Sequence, residues 1–243
     1  RRAFRAFAPV VVPASPEGLV RIVVPAKVAA ESNSGGTDLR VVDAAGRQWP
    51  YLVDPAVRPP LPMRVRASRS RESPRESVYA IALPSRGIPI VGVRIESVEP
   101  LVDRTVRIET TNSDGRRTQM ASGRLIRRPD ATTPVDVTLV DTVRGSLFVV
   151  VEDGDEAPLD LRFSLLLPAH ELVVAARPGD YRLYVGALAE TPESSEPLYD
   201  LAQSGGLAAA VSTPDATVSA LVANPDSDPP SAWSRDRWRD LVL

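Results

Sequence analysis

Residues 91–119 read VGVRIESVEPLVDRTVRIETTNSDGRRTQ, and residues 135–159 read VDVTLVDTVRGSLFVVVEDGDEAPL. Val106 and Ile108 alternate with Arg107 and Glu109; Val135, Val137 and Leu139 alternate with Asp136 and Thr138. Alternation of period two puts one side of a strand on a core and the other in water. Val93, Ile95 and Val98 read as a further buried face, and Leu147–Val151 is apolar throughout, as a fully buried strand is. Asn112, Ser113, Asp114 and Gly115 form a turn cluster able to supply positive φ. Several such strands separated by turn clusters predict an antiparallel β-sandwich.

Composition agrees with this reading. The 243 residues suffice for one large or two modest domains. Aromatic residues make up 5%, so the cores must be built from Val, Leu, Ile and Ala. The 24 prolines are about twice average usage, and proline breaks helices and punctuates strands. A net charge of −2 excludes a strong global attraction to nucleic acid, which is not expected as a partner. There is no cysteine, so disulfides and thiolate chemistry are closed to the chain. No run approaches the roughly 20 apolar residues of a membrane span.

Outward from the central stretch, residues 8–13 (APVVVP) and 19–24 (LVRIVV) are predicted strands. Leu39–Val42 and Trp49–Val53 form a predicted hairpin, and Met63–Ala67 a further strand. These are too few to close a sandwich. Closure is expected from Leu172–Ala176 and Tyr181–Val185, a hairpin across Pro178, Gly179 and Asp180. The N-terminal sandwich is therefore set at residues 1–72, completed by strands from 171–187, with a second sandwich over 73–170. Residues 58–75 (RPPLPMRVRASRSRESPR) hold six arginines and read as a linker or exposed edge. Residues 188–243 read as a loop-rich, partly helical tail, with a short helix over Pro214–Ala223. The fold class is all-β: two antiparallel, jelly-roll-like sandwiches and a tail.

Few residues suggest chemistry. His170 is the single histidine and Lys27 the single lysine, and no nucleophile elbow, phosphate loop or dinucleotide fingerprint is present. Catalytic residues and an organic cofactor are not expected. Asp153, Asp155 and Glu156 offer hard oxygen ligands for calcium, though the spacing does not fit an EF-hand and an acidic β-turn bent at Gly154 explains the run equally. Trp49 and Tyr51 lie two apart on one predicted strand face, as a sugar-binding platform would. The end, SAWSRDRWRDLVL, interleaves Trp233 and Trp238 with Arg235, Arg237 and Arg239, residue types that a membrane interface favours. Leu241, Val242 and Leu243 look like the start of an apolar segment, so a membrane anchor is expected there.

The order of motifs resembles a family of bacterial envelope proteins of unknown function. The segments that carry it are LVRIVVP (19–25), DLRVVDAAGRQWPYLV (38–53), VRIETTNSDG (106–115), EDGDEAPL (152–159), PGDYRLYVGA (178–187) and LYDLA (198–202). The resemblance implies secreted β-sandwich domains followed by one C-terminal membrane helix, and it supplies no catalytic residues. VRIETTNSDG and RGSLFVVVEDG also resemble galactose-binding-like jelly rolls of the discoidin type, which implies a fold and not a ligand.

The expectation that follows is a non-enzymatic accessory or scaffolding subunit on the periplasmic face of a bacterial inner membrane. It would bind a membrane-protein complex through loops and sheet edges. The alternative is a carbohydrate-binding module for envelope polysaccharide.

Overall fold

The computed structural model describes residues 4–187 and 213–227, apart from residues 17, 33–35, 37, 55–57, 84–87, 113, 130–133, 140–142 and 144. The chain folds into two compact units. Unit 1 takes residues 1–57 and 170–243, and unit 2 takes residues 58–169.

Unit 1 begins with β1 (Phe4–Val12), β2 (Leu19–Val23), a short helix α1 (Ala26–Glu31), β3 (Arg40–Asp43), β4 (Gln48–Trp49) and β5 (Tyr51–Val53). Ala6, Ala8, Val10 and Val12 alternate inward on β1, while Val11 is exposed. The helix α1 was not expected; Pro25 stands at its N-cap without a side-chain cap hydrogen bond, and it buries Val28, Ala29 and Ala30. Packing, not propensity, holds so short a helix.

Unit 2 contains β6 (Leu61–Val65), β7 (Ala67–Ser73), β8 (Glu76–Ile81), β9 (Gly92–Ser97), β10 (Val102–Thr111), β11 (Arg117–Arg127), β12 (Val135–Thr138), β13 (Leu147–Glu152) and β14 (Leu161–Leu167). One sheet has the order β11-β10-β13-β8-β7 and the other β12-β9-β14-β6, with every pair antiparallel. Val106, Ile108, Val149 and Val151 are fully buried in the first sheet, and Val93, Ile95 and Leu165 in the second. Tyr79 of β8 and Phe163 of β14 join the two layers, with ring centroids 5.2 Å apart. Full burial of one such aliphatic side chain is worth about 1.5–3 kcal/mol, so this interior is the main source of the unit's stability. Gly115 takes φ +78 in the turn between β10 and β11, as the Asn-Ser-Asp-Gly cluster predicts.

Two sequence expectations change here. Residues 58–72 belong to unit 2: β6 pairs with β14 and β7 with β8, which places the boundary at Val57/Arg58, ahead of 72/73. Of the two readings of the arginine-rich segment, linker or exposed edge, the structure shows the edge: β6 and β7 are both edge strands. Ala67 to Ser70 are all exposed while the β7 backbone joins a sheet. Val98 does not share the inner face of Val93 and Ile95. β9 ends at Ser97, which is buried, and Val98 is 46% exposed in the turn that follows.

The chain then returns to unit 1 as β15 (Glu171–Ala175), β16 (Gly179–Ala187), β17 (Thr217–Val218) and β18 (Val222–Ala223). β16 lies between β1 and β3, and β15 between β2 and β5. Pro214–Ala223 is not helical. Residue Asp215 bridges to Arg21, and β17 and β18 then add to the edge of β1. The Asn224 amide donates to the Phe4 carbonyl at 2.8 Å and fixes the end of this segment. Thr217, Val218 and Val222 are β-branched and suit a strand, so the segment pairs with the open β1 backbone in place of forming a helix.

Candidate functional site

Trp49 and Tyr51 do not form a platform. Pro50 separates β4 from β5, and the chain changes sheets there: Trp49 pairs with Val41, and Tyr51 with Val174. The Trp49 indole donates to Asp43 at 3.1 Å and meets the Tyr181 ring edge-on at 5.9 Å. Tyr51 is 8% exposed and its hydroxyl donates to the Leu39 carbonyl at 2.6 Å. Both rings serve packing. Strand alternation places residues two apart on one face only within one strand, and proline ends this one.

The acidic run after β13 does not converge on an ion. Asp153 is buried and accepts from Ser77 Oγ at 2.5 Å. The Asp155 side chain is 93% exposed and faces Arg75 at 3.7 Å, while Glu156 pairs with Arg104. The Glu156 amide donates to the Asp153 carbonyl across Gly154, whose φ is +62: the run is a β-turn. Among the described residues no three of His, Asp and Glu gather as a metal site. His170 lies between β14 and β15 with its ring over Gly36, and its carbonyl accepts from the Val24 amide at 3.0 Å. The expected membrane-interface residues Trp233, Arg235, Arg237, Trp238 and Arg239 lie outside the described residues.

The features that sequence reasoning missed are in unit 2. A cleft of about 620 Å³ lies where the chain crosses from β6 to β7. Arg64, Arg69 and Arg162 line it, together with Asp160, Tyr79 and Phe163. A second cleft, of about 450 Å³, lies beyond Arg162, lined by Arg127, Glu96 and Ser97 over Ile95, Leu125 and Ile126. Arg162 belongs to both.

The walls of these clefts are held rigidly. Tyr79 Oη donates to the Leu159 carbonyl at 2.5 Å, and Arg69 donates to the same oxygen at 3.2 Å. Burial raises the Tyr79 phenol above its ordinary pKa, so it stays a neutral donor. Glu99 ties the β9–β10 turn to the start of β14, accepting from the Asp160 amide at 2.9 Å and from Ser97 Oγ. Burial pushes the Glu99 carboxyl up, but these hydrogen bonds outweigh it and hold the group below its usual range.

Beside the second cleft stand three exposed apolar side chains: Val98 at 46%, Leu101 at 70% and Ile126 at 45%. Val98 and Leu101 flank the β9–β10 turn, and Ile126 lies opposite Asp103 on the edge strand β11. The sequence carried a signal for them. VEPL places apolar residues in a proline turn, where water-facing side chains are expected to be polar.

Comparison of the chain with protein-family models, with curated proteins and with solved structures found no match. The likeness to envelope proteins rests on its motifs alone.

Proposed function

We propose that this protein is a non-enzymatic accessory subunit that binds a membrane-protein complex at the periplasmic face of a bacterial inner membrane. The observation that carries the reading is the apolar group of Val98, Leu101 and Ile126, exposed on unit 2 around the β9–β10 turn and the edge strand β11. Exposed apolar patches at sheet edges suit protein contacts, because they release water on burial and the edge offers unpaired amides and carbonyls. The Trp–Arg sequence of residues 233–239 supports a position at the membrane. No helix among the described residues is long and apolar enough to cross one.

The test is purification of the full-length protein from its native cells in mild detergent, beside the Leu101→Asp, Ile126→Asp double variant. A stoichiometric membrane protein is expected with the wild type and is lost from the variant. Recovery of the wild-type protein alone rejects the reading.

A second reading, glycan binding, is supported by the 620 Å³ cleft of unit 2, which is the size of ordinary small-ligand sites. Saturable binding in a glycan panel is its expected outcome; flat titrations across the panel dispose of it.

A further inference from the structure

The arginines around the two clefts differ in one respect. Arg64 faces Glu96 at 3.6 Å, and Arg69 donates to the Leu159 carbonyl. Arg127 and Arg162 make no hydrogen bond or ion pair among the described residues. Arg127 Nε is moreover buried without a partner. A buried donor left unsatisfied is costly, and such groups in native proteins are almost always matched by something.

The carboxylates nearby are largely engaged. Glu96 pairs with Arg64, and Glu99, which Arg127 also attracts at longer range, is held by Ser97 and the Asp160 amide. Asp160 is the one carboxylate lining the larger cleft, against three guanidinium groups. The clefts therefore present unspent positive charge, with Arg64, Arg69 and Arg162 open to water and Arg127 half-buried beside them, and charge-assisted hydrogen bonds to such groups are the stronger kind.

We infer that Arg162 is the centre of an oxyanion-binding site, with Arg64 and Arg69 on one side and Arg127 on the other. The ligand class is a sugar-sized molecule bearing a carboxylate or a phosphate. The planar guanidinium fork matches both groups in two-point geometry. A neutral sugar is disfavoured because the rings at the cleft, Tyr79 at 4% and Phe163 at 3% exposed, are too buried to offer a stacking face. This inference rests on the glycan reading of the same cleft and gives that reading a ligand chemistry.

The experiment is calorimetric titration of the full chain with D-glucuronate, D-glucose 6-phosphate and D-glucose at low and high salt. Three proteins are compared: wild type, Arg162→Gln, and Arg116→Gln, which alters an arginine of the β10–β11 turn that lines neither cleft. The Arg162 side chain is exposed and makes no hydrogen bond or ion pair among the described residues, so the Arg162→Gln variant keeps the wild-type unfolding midpoint. At least one acidic ligand is expected to bind saturably and more weakly in high salt. Its affinity falls about tenfold or more in Arg162→Gln and is unchanged in Arg116→Gln. Which acid binds separates the carboxylate from the phosphate. Equal binding of glucose, or binding that Arg162→Gln leaves intact, overturns the oxyanion site while sparing the glycan reading. Silence of all three ligands together with a flat glycan panel ends both.

Discussion

Asp43 accepts three hydrogen bonds, which is unusual for a group at the end of a short strand. They come from the Arg47 amide at 2.9 Å, Arg47 Nε at 2.9 Å and the Trp49 indole at 3.1 Å. Its carboxyl is lowered from 3.8 to about 2, with the Arg47 amide the largest cause. The folded value lies below the unfolded one. The contribution to stability is thus complete above the unfolded value and fades as pH falls towards about 2. Carboxyl titration followed by NMR should place Asp43 near that value. Trp49→Phe should raise it only in part, because no side-chain change removes the amide donor. Return to an ordinary aspartate value in Trp49→Phe would show that the indole, and not the turn backbone, sets the charge. Trp49 thus has a role in unit 1, though not the ligand role that its position beside Tyr51 suggests in the sequence.

At the level of elements, alternation within a strand was legible and the ends of strands were not. Val106 and Ile108 announce their burial because they sit well inside β10, and Leu147–Val151 because an unbroken apolar run fills nearly all of β13. Val98 and Tyr51 mislead because a strand stops or changes sheets one residue earlier, at Ser97 and at Pro50, and periodicity carries no information past that point. The oxyanion site was illegible for a related reason. Arg64, Arg69, Arg127 and Arg162 come from four strands in two sheets, and only the register brings them together. Turns show the same division between local and tertiary control. A Cβ at Gly145 would lie 2.2 Å from the Thr111 carbonyl oxygen, whereas one at Gly154 meets nothing within 4 Å and only the positive φ resists it. Urea unfolding should therefore show Gly145→Ala losing about 2–3 kcal/mol and Gly154→Ala about 1 kcal/mol. Equal losses would mean that the β13 approach to β10 gives way more easily than its hydrogen bonds suggest.

For the whole molecule, the order of pairing decides what can fold alone. Unit 2 is one continuous segment, and every strand of both its sheets lies within residues 58–169. Unit 1 depends on β15 and β16, which arrive after unit 2 is complete and lie between N-terminal strands in both of its sheets. A protein of residues 58–169 is expected to show a β-sheet circular dichroism spectrum and one cooperative unfolding transition. Residues 1–57 alone should show neither. A folded 1–57 fragment would mean that its core closes without the strands that occupy the middle of each sheet.

The proposed partner meets unit 2 at the β9–β10 turn and the end of β11. The most direct measurement is photo-crosslinking in native membranes, with a reactive amino acid placed at Leu101 and, as a control, at Val11, which is 51% exposed on unit 1. A docking surface there yields one discrete membrane-protein adduct from Leu101 and none from Val11. The same adduct from both positions, or none from Leu101, would contradict it.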